Sequence, residues 1–171
     1  MNNISNPDVN ESKLLISQLF RFASYILLFI GYIWTASGIS KITSGVFPEN
    51  LGKTLTFFAS KNPYGWYRSI LVSEVIPRSI ILGYVIEWTE ALSGIVIIGT
   101  GLYMWYKKDI SKPVIIFNLI FLTAVIILNF QFYLASGWTS ISSSQLNLLM
   151  IGIEIALLIL FVQIWKVANV K

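Results

Sequence analysis

Four apolar runs dominate this chain. Each is long enough to form a helix that crosses a bilayer, which takes about 20 residues. They extend from about Leu19 to Ile42, Ile80 to Tyr106, Pro113 to Ser136 and Leu146 to Val167. Open strands leave backbone groups unpaired in lipid, so the runs are read as helices. Charge agrees: Asp, Glu, Lys and Arg make up 12% of 171 residues, about half the roughly 25% of a soluble domain. The expected architecture is all-α and integral to the membrane, a single domain over 1–171. It is a four-transmembrane-helix bundle with a long amphipathic first loop. The opening MNNISNPDVNESK is polar and lacks a basic signal-peptide start. Thr35-Ala36-Ser37-Gly38 has the small residues of a cleavage site, but the long apolar stretch before it fits an anchor better.

Lys and Arg near span ends set the orientation. Lys13, Arg21, Lys107, Lys108, Lys112, Lys166 and Lys171 favour both termini inside. The first loop, Thr43 to Ser79, dissents with Lys53, Lys61, Arg68 and Arg78, but long loops obey the rule less. That loop is too long for a mere connector. Pro48 is placed to start a helix with Leu51, Leu55 and Phe58 on one face. Asn62-Pro63-Tyr64-Gly65 reads as a turn, and a second helical piece with Trp66, Ile70 and Val72 is expected to stop at Pro77. The loop is either a plain lid over the bundle or a functional element at the interface.

Ionisable side chains inside a membrane are costly, so each is a candidate site. Glu87 and Glu90 share a helical stripe with Ala91, Gly94, Ile98 and Gly101, whose small members let another helix approach. Two such carboxyls should not both be charged, so at least one can hold and hand on a proton. Lys41 can snorkel, pair with a glutamate or bind an anion. Arg68, Lys61, Lys53 and Arg78 form either a solvated charge run or an attractor for a small anion. Glu154 falls at a depth similar to that of the other glutamates. Asn118, Asn147 and Gln131 read as interhelical glue. Trp34 and Trp88 lie deeper than the aromatic belts and either pack or wall a flat ligand.

The chain contains no Cys and no His. It cannot build a disulfide, an Fe–S cluster, a Cys or His zinc site or His-ligated haem, nor a Cys nucleophile or Ser-His-Asp triad. Any redox work must run through something the chain binds.

Several features in order resemble a known family. They are Gly38-Ile39-Ser40-Lys41, Asn62-Pro63-Tyr64-Gly65-Trp66-Tyr67, Val75-Ile76-Pro77, Glu90 followed by Gly94 and Gly99, and Asn129-Phe130-Gln131-Phe132 running into Ala135-Ser136-Gly137. Together they resemble the DoxD-type subunit of archaeal thiosulfate:quinone oxidoreductase, within the DoxX-like membrane family. The resemblance implies oxidation of thiosulfate to tetrathionate with reduction of a caldariellaquinone-like quinone. It implies a small DoxA-type partner, an association with terminal quinol oxidase subunits, a plasma-membrane location, and no nucleic acid. On this reading Lys41, Arg68, Lys61 and Arg78 bind the anion, and Glu90 helped by Glu87 relays protons. Trp34, Trp88 and Asn129 would line the quinone pocket, with no metal or haem on this chain. The alternative is a non-catalytic scaffold or assembly subunit of the oxidase. A solute transporter fits less well, since no inverted repeat or broken helix pair is evident.

Overall fold

The computed structural model describes residues 7–107 and 110–169, with side chains within 17–107 and 110–166. Lys108 and Lys171 of the orientation argument lie outside the described residues, as do residues 1–6 and the side chain of Lys13. The α-helices are α1 (Pro7–Ser44), α2 (Phe47–Ser60), α3 (Gly65–Ile70), α4 (Ser79–Lys107), α5 (Lys112–Ser136) and α6 (Ile141–Asn169). No strand occurs among the described residues. Four helical stretches are long and apolar enough to span a membrane: Ser17–Ser44, Gly65–Lys107, Lys112–Thr139 and Ile141–Lys166. Their outward faces carry large apolar side chains such as Phe29, Tyr32, Ile81, Ile95, Ile127 and Ile159. Lipid is the only solvent that suits such a surface. The chain is a multi-pass membrane protein.

Each span presents one buried stripe with steps of three and four residues. On α1 it is Ala23, Leu27, Ile30 and Trp34, and on α4 Glu90, Ser93, Ile97, Thr100 and Met104. On α5 it is Ile115, Asn118, Leu122, Val125 and Asn129, and on α6 Met150, Glu154, Leu157 and Phe161. This is the repeat by which antiparallel helices interlock in a bundle. The polar members of the stripes are what the membrane makes expensive.

α1 and α4 form the most extensive pairing, and glycines explain it. A Cβ added at Gly38 would lie 2.3 Å from the Ala91 amide nitrogen, one at Gly94 2.3 Å from that of Thr35, and one at Gly31 2.8 Å from that of Ile98. The pairs step along the two helices in opposite directions, so α1 and α4 run antiparallel with backbones in near contact. Without a hydrophobic drive between helices in lipid, such close packing is what holds them together.

The first loop caps one end of the bundle, called here the loop end. Gly45 takes φ +66 and turns the chain from α1 into α2, a conformation that favours glycine. Pro48 stands in the first turn of α2, as its spacing predicts. Leu51, Leu55 and Ala59 of α2 bury against Tyr67, Leu71, Leu134 and Ala135. Asn62 seals the turn: its Nδ2 donates to the Leu134 carbonyl at 2.9 Å, and its Oδ1 accepts from the Tyr64 amide at 3.0 Å.

Pro77 does not stop the helical path, contrary to the expectation. After α3 the chain makes a π turn (Leu71–Val75), then a 3-10 turn (Ile76–Arg78), and enters α4 directly. A proline inside a regular α-helix clashes with the carbonyl four residues back and lacks a donor. Here the Ile76 amide reaches back to the Leu71 carbonyl and the Ser79 amide to the Ile76 carbonyl. The changed hydrogen-bond register accommodates the ring. The buried residues of this stretch are Tyr67 and Leu71, while Trp66, Ile70 and Val72 face outward.

Enlarging the α1–α4 seam should therefore be costly. Gly38→Leu or Gly94→Val is expected to destabilise by about 1–3 kcal/mol or more, read as a lower thermal unfolding temperature in detergent. Gly99→Ala should be neutral or stabilising, because a Cβ there meets nothing within 4 Å and alanine favours the helix.

Candidate functional site

The seam fixes which polar groups meet. With Gly38 against Ala91, Lys41 one turn on lies beside Glu90. The Lys41 Nζ forms an ion pair with Glu90 Oε2 and donates to Ser37 Oγ at 2.7 Å. Glu90 is fully buried, whereas the Lys41 side chain is 22% exposed. The Phe47 ring of α2 sits 5.4 Å from the ammonium, a cation–π contact over the top of the pair. The pair thus joins α1 to α4 at the loop end, under the start of α2.

A second carboxyl anchors the other helices. Glu154 of α6 accepts from Trp34 Nε1 of α1 at 2.7 Å on Oε1. It also accepts from Asn129 Nδ2 of α5, at 3.0 Å on Oε1 and 2.9 Å on Oε2. Trp34, Ser37 and Lys41 stand on α1 at helical spacing, so one stripe of α1 carries contacts to both glutamates. Through it, all four spans join in a single polar layer set toward the loop end.

Glu87 is different. It is 4% exposed, and its Oε2 is buried without a hydrogen-bond partner. Glu90 Oε1, Ser93 Oγ and Thr35 Oγ1 are also buried and unpartnered. Most unsatisfied buried polar atoms among the described residues thus lie on the α1–α4 seam beside the ion pair. Asn118, expected as glue, has no partner for either amide atom. Gln131 does tie elements together, accepting from Tyr67 Oη at 2.9 Å and so holding the loop to α5.

Of the residues singled out in the sequence, Lys41 meets Glu90, and Trp34 meets Asn129 at Glu154. Trp88 faces outward, 52% exposed. Lys61 and Arg68 are exposed on the loop. Arg78 is exposed and paired with Glu74 at 2.6 Å. Sequence reasoning did not count Glu154, Ser37, Ser93 or Thr35 as site residues. Glu154 alone carried a signal, as a carboxyl on the same three-four repeat as Leu157 and Phe161. Among the described residues, no group of three Asp or Glu side chains is arranged to hold a metal ion. An apolar groove of about 260 Å³ lies between α4 and α5, lined by Val96, Gly99, Thr100, Tyr103, Val114 and Phe117. Thr100 is ten residues from Glu90, roughly 15 Å along the helix, so the groove and the carboxyl layer are separate features.

Removing one partner of a buried ion pair leaves a bare charge, at a cost of about 3–5 kcal/mol. Lys41→Met should destabilise the bundle by that order in detergent unfolding. The double variant Lys41→Met with Glu90→Leu should recover most of the loss, because neither charge is then stranded.

No family model matches this chain, and comparison with curated proteins and with solved structures finds no match.

Proposed function

We propose that this chain is the membrane subunit of a thiosulfate:quinone oxidoreductase, a thiosulfate dehydrogenase that works with a small DoxA-type partner in the plasma membrane, its termini cytoplasmic. The observation that carries the reading is the layer of buried carboxyls at the loop end, with the Lys41–Glu90 pair beneath a basic loop. The resemblance of the sequence to the DoxD type suggests the substrate class.

The reaction needs such a layer. Two thiosulfate dianions joined through a new sulfur–sulfur bond release two electrons and no protons. A quinone reduced to quinol takes two electrons and two protons. The protons must come from the protein or from water, and a quinone in the bilayer is cut off from bulk water. Carboxyls held within the bundle supply that route. Lys61 and Arg68, exposed on the loop, would draw the dianion by long-range attraction. Lys41, paired with Glu90, holds that carboxyl at the loop end of the layer. Arg78 contributes least on this reading, since Glu74 already neutralises it. The quinone supplies the electron-accepting chemistry that no side chain of this chain can.

A scaffold role is the second reading, and one observation favours it. Both oxygens of Glu154 are satisfied by Trp34 and Asn129, which ties α1, α5 and α6 together as structural glue would.

One assay separates the two. The chain is purified with its partner, and thiosulfate-dependent reduction of a decyl-quinone is followed. Glu90→Gln is expected to slow it by about a hundredfold, the usual scale for loss of a proton-transfer group, with assembly intact. An unchanged rate would remove the relay, and no activity in any intact assembly would leave the scaffold.

A further inference from the structure

The groove between α4 and α5 takes no part in the carboxyl layer, and it opens toward lipid. Gly99 makes the hollow: it is exposed, and nothing lies within 4 Å of where a Cβ would stand. Val96, Tyr103, Val114 and Phe117 wall it. The hydroxyl of Thr100 already donates to the Val96 carbonyl, at 3.0 Å. An apolar hollow of this kind stays dry, and one of about 150 Å³ holds benzene. This groove has about 260 Å³, room for a length of hydrocarbon chain.

A neighbouring helix does not suit it. Close helix packing in lipid needs small residues at repeated positions. The neighbours of Gly99 on its face are Ile95, Val96, Leu102 and Tyr103. A single glycine is thus flanked by bulk on both sides, which holds a helix backbone off and admits a flexible chain.

The groove also has a polar end. Tyr103, half-buried on its wall, has a hydroxyl with no partner among the described residues. One turn on, roughly 6 Å along the axis, α4 ends at Lys107, which is exposed and unpaired among the described residues. α5 begins at Lys112, two residues before Val114. Residues 107–112 hold three lysines and one aspartate, so the connector is net positive. Lys112 lies 6.0 Å from the Trp165 ring centroid, and Tyr25 packs on Trp105 at 4.7 Å. Such aromatics mark the boundary between membrane and water. Apolar walls, then a hydroxyl, then cations at the boundary follow the order of a phospholipid from chain to phosphate.

We propose that the α4–α5 groove binds one anionic phospholipid. A hydrocarbon chain lies in the hollow at Gly99, the Tyr103 hydroxyl donates to an oxygen near the glycerol, and the phosphate meets Lys107 and Lys112. The site is independent of the quinone chemistry.

The full chain in neutral detergent is titrated with phosphatidylglycerol, and bound lipid is counted by native mass spectrometry. One molecule per chain should be retained, about tenfold more tightly than phosphatidylcholine with the same chains, the scale set by lysines beside an anionic headgroup. Gly99→Leu fills the hollow from α4, and Val114→Phe fills it from α5. Each should weaken phosphatidylglycerol binding about tenfold. Should one of them fail to fold, the other carries the test. Lys107→Gln with Lys112→Gln should erase the preference for phosphatidylglycerol and leave the chain contact. Equal binding of the two lipids by the wild type, or undiminished binding in a folded filling variant, overturns the site. A dimer that the filling variants dissociate overturns it in favour of a second copy. One-for-one displacement of phosphatidylglycerol by decyl-quinone overturns it in favour of the quinone.

Discussion

The near contact of the α1 and α4 backbones governs the rest of this molecule. Gly38 against Ala91 and Gly94 against Thr35 set the register of the two helices to within a fraction of a turn. Lys41 reaches Glu90 only in that register. In water a misaligned pair would simply be solvated. In lipid each stranded charge is penalised heavily, so the seam and the ion pair select the same alignment. Neither α5 nor α6 has a comparable glycine seam. They are tied into the bundle by apolar stripes and by Glu154, which reaches both Asn129 and Trp34.

The spans were legible because lipid imposes a simple rule, namely about 20 apolar residues with every backbone group paired internally. Pro48 and Pro113 announced helix starts for the same local reason, a ring that suits the first turn. Pro77 misled because its effect depends on the hydrogen-bond register upstream. A π turn is stabilised by what Leu71 packs against, and Leu134 lies far away in sequence. The inward face of the loop was missed by one position for the same reason. Tyr67 faces in because Gln131 is there to accept its hydroxyl, and no local pattern encodes that.

The candidate site divides along the same line. That Glu87 and Glu90 face inward could be read from the small residues on their stripe, a property of one helix. Which group each would meet depends on the rotation of other helices. Lys41 was one of several options for Glu90, while the link from Trp34 to Glu154 crosses 120 residues. The identity of the free carboxyl was out of reach, because it is defined by the absence of a partner. Two glutamates three residues apart look alike in sequence. One is paired with Lys41, and the other buries an oxygen that has no partner.

The two bonded carboxyls also differ in how far they can act. Glu154 is fully buried, with both oxygens held by neutral donors that have nowhere else to turn. Breaking it open would leave Trp34 and Asn129 unsatisfied in lipid, at about 1–3 kcal/mol for each. Lys41 stands at the edge, part exposed, on a long flexible stem beside the loop. Its ammonium cannot leave Glu90 without stranding a fully buried carboxylate, at about 3–5 kcal/mol. The partial exposure of the lysine therefore ties the pair to the loop end without freeing it.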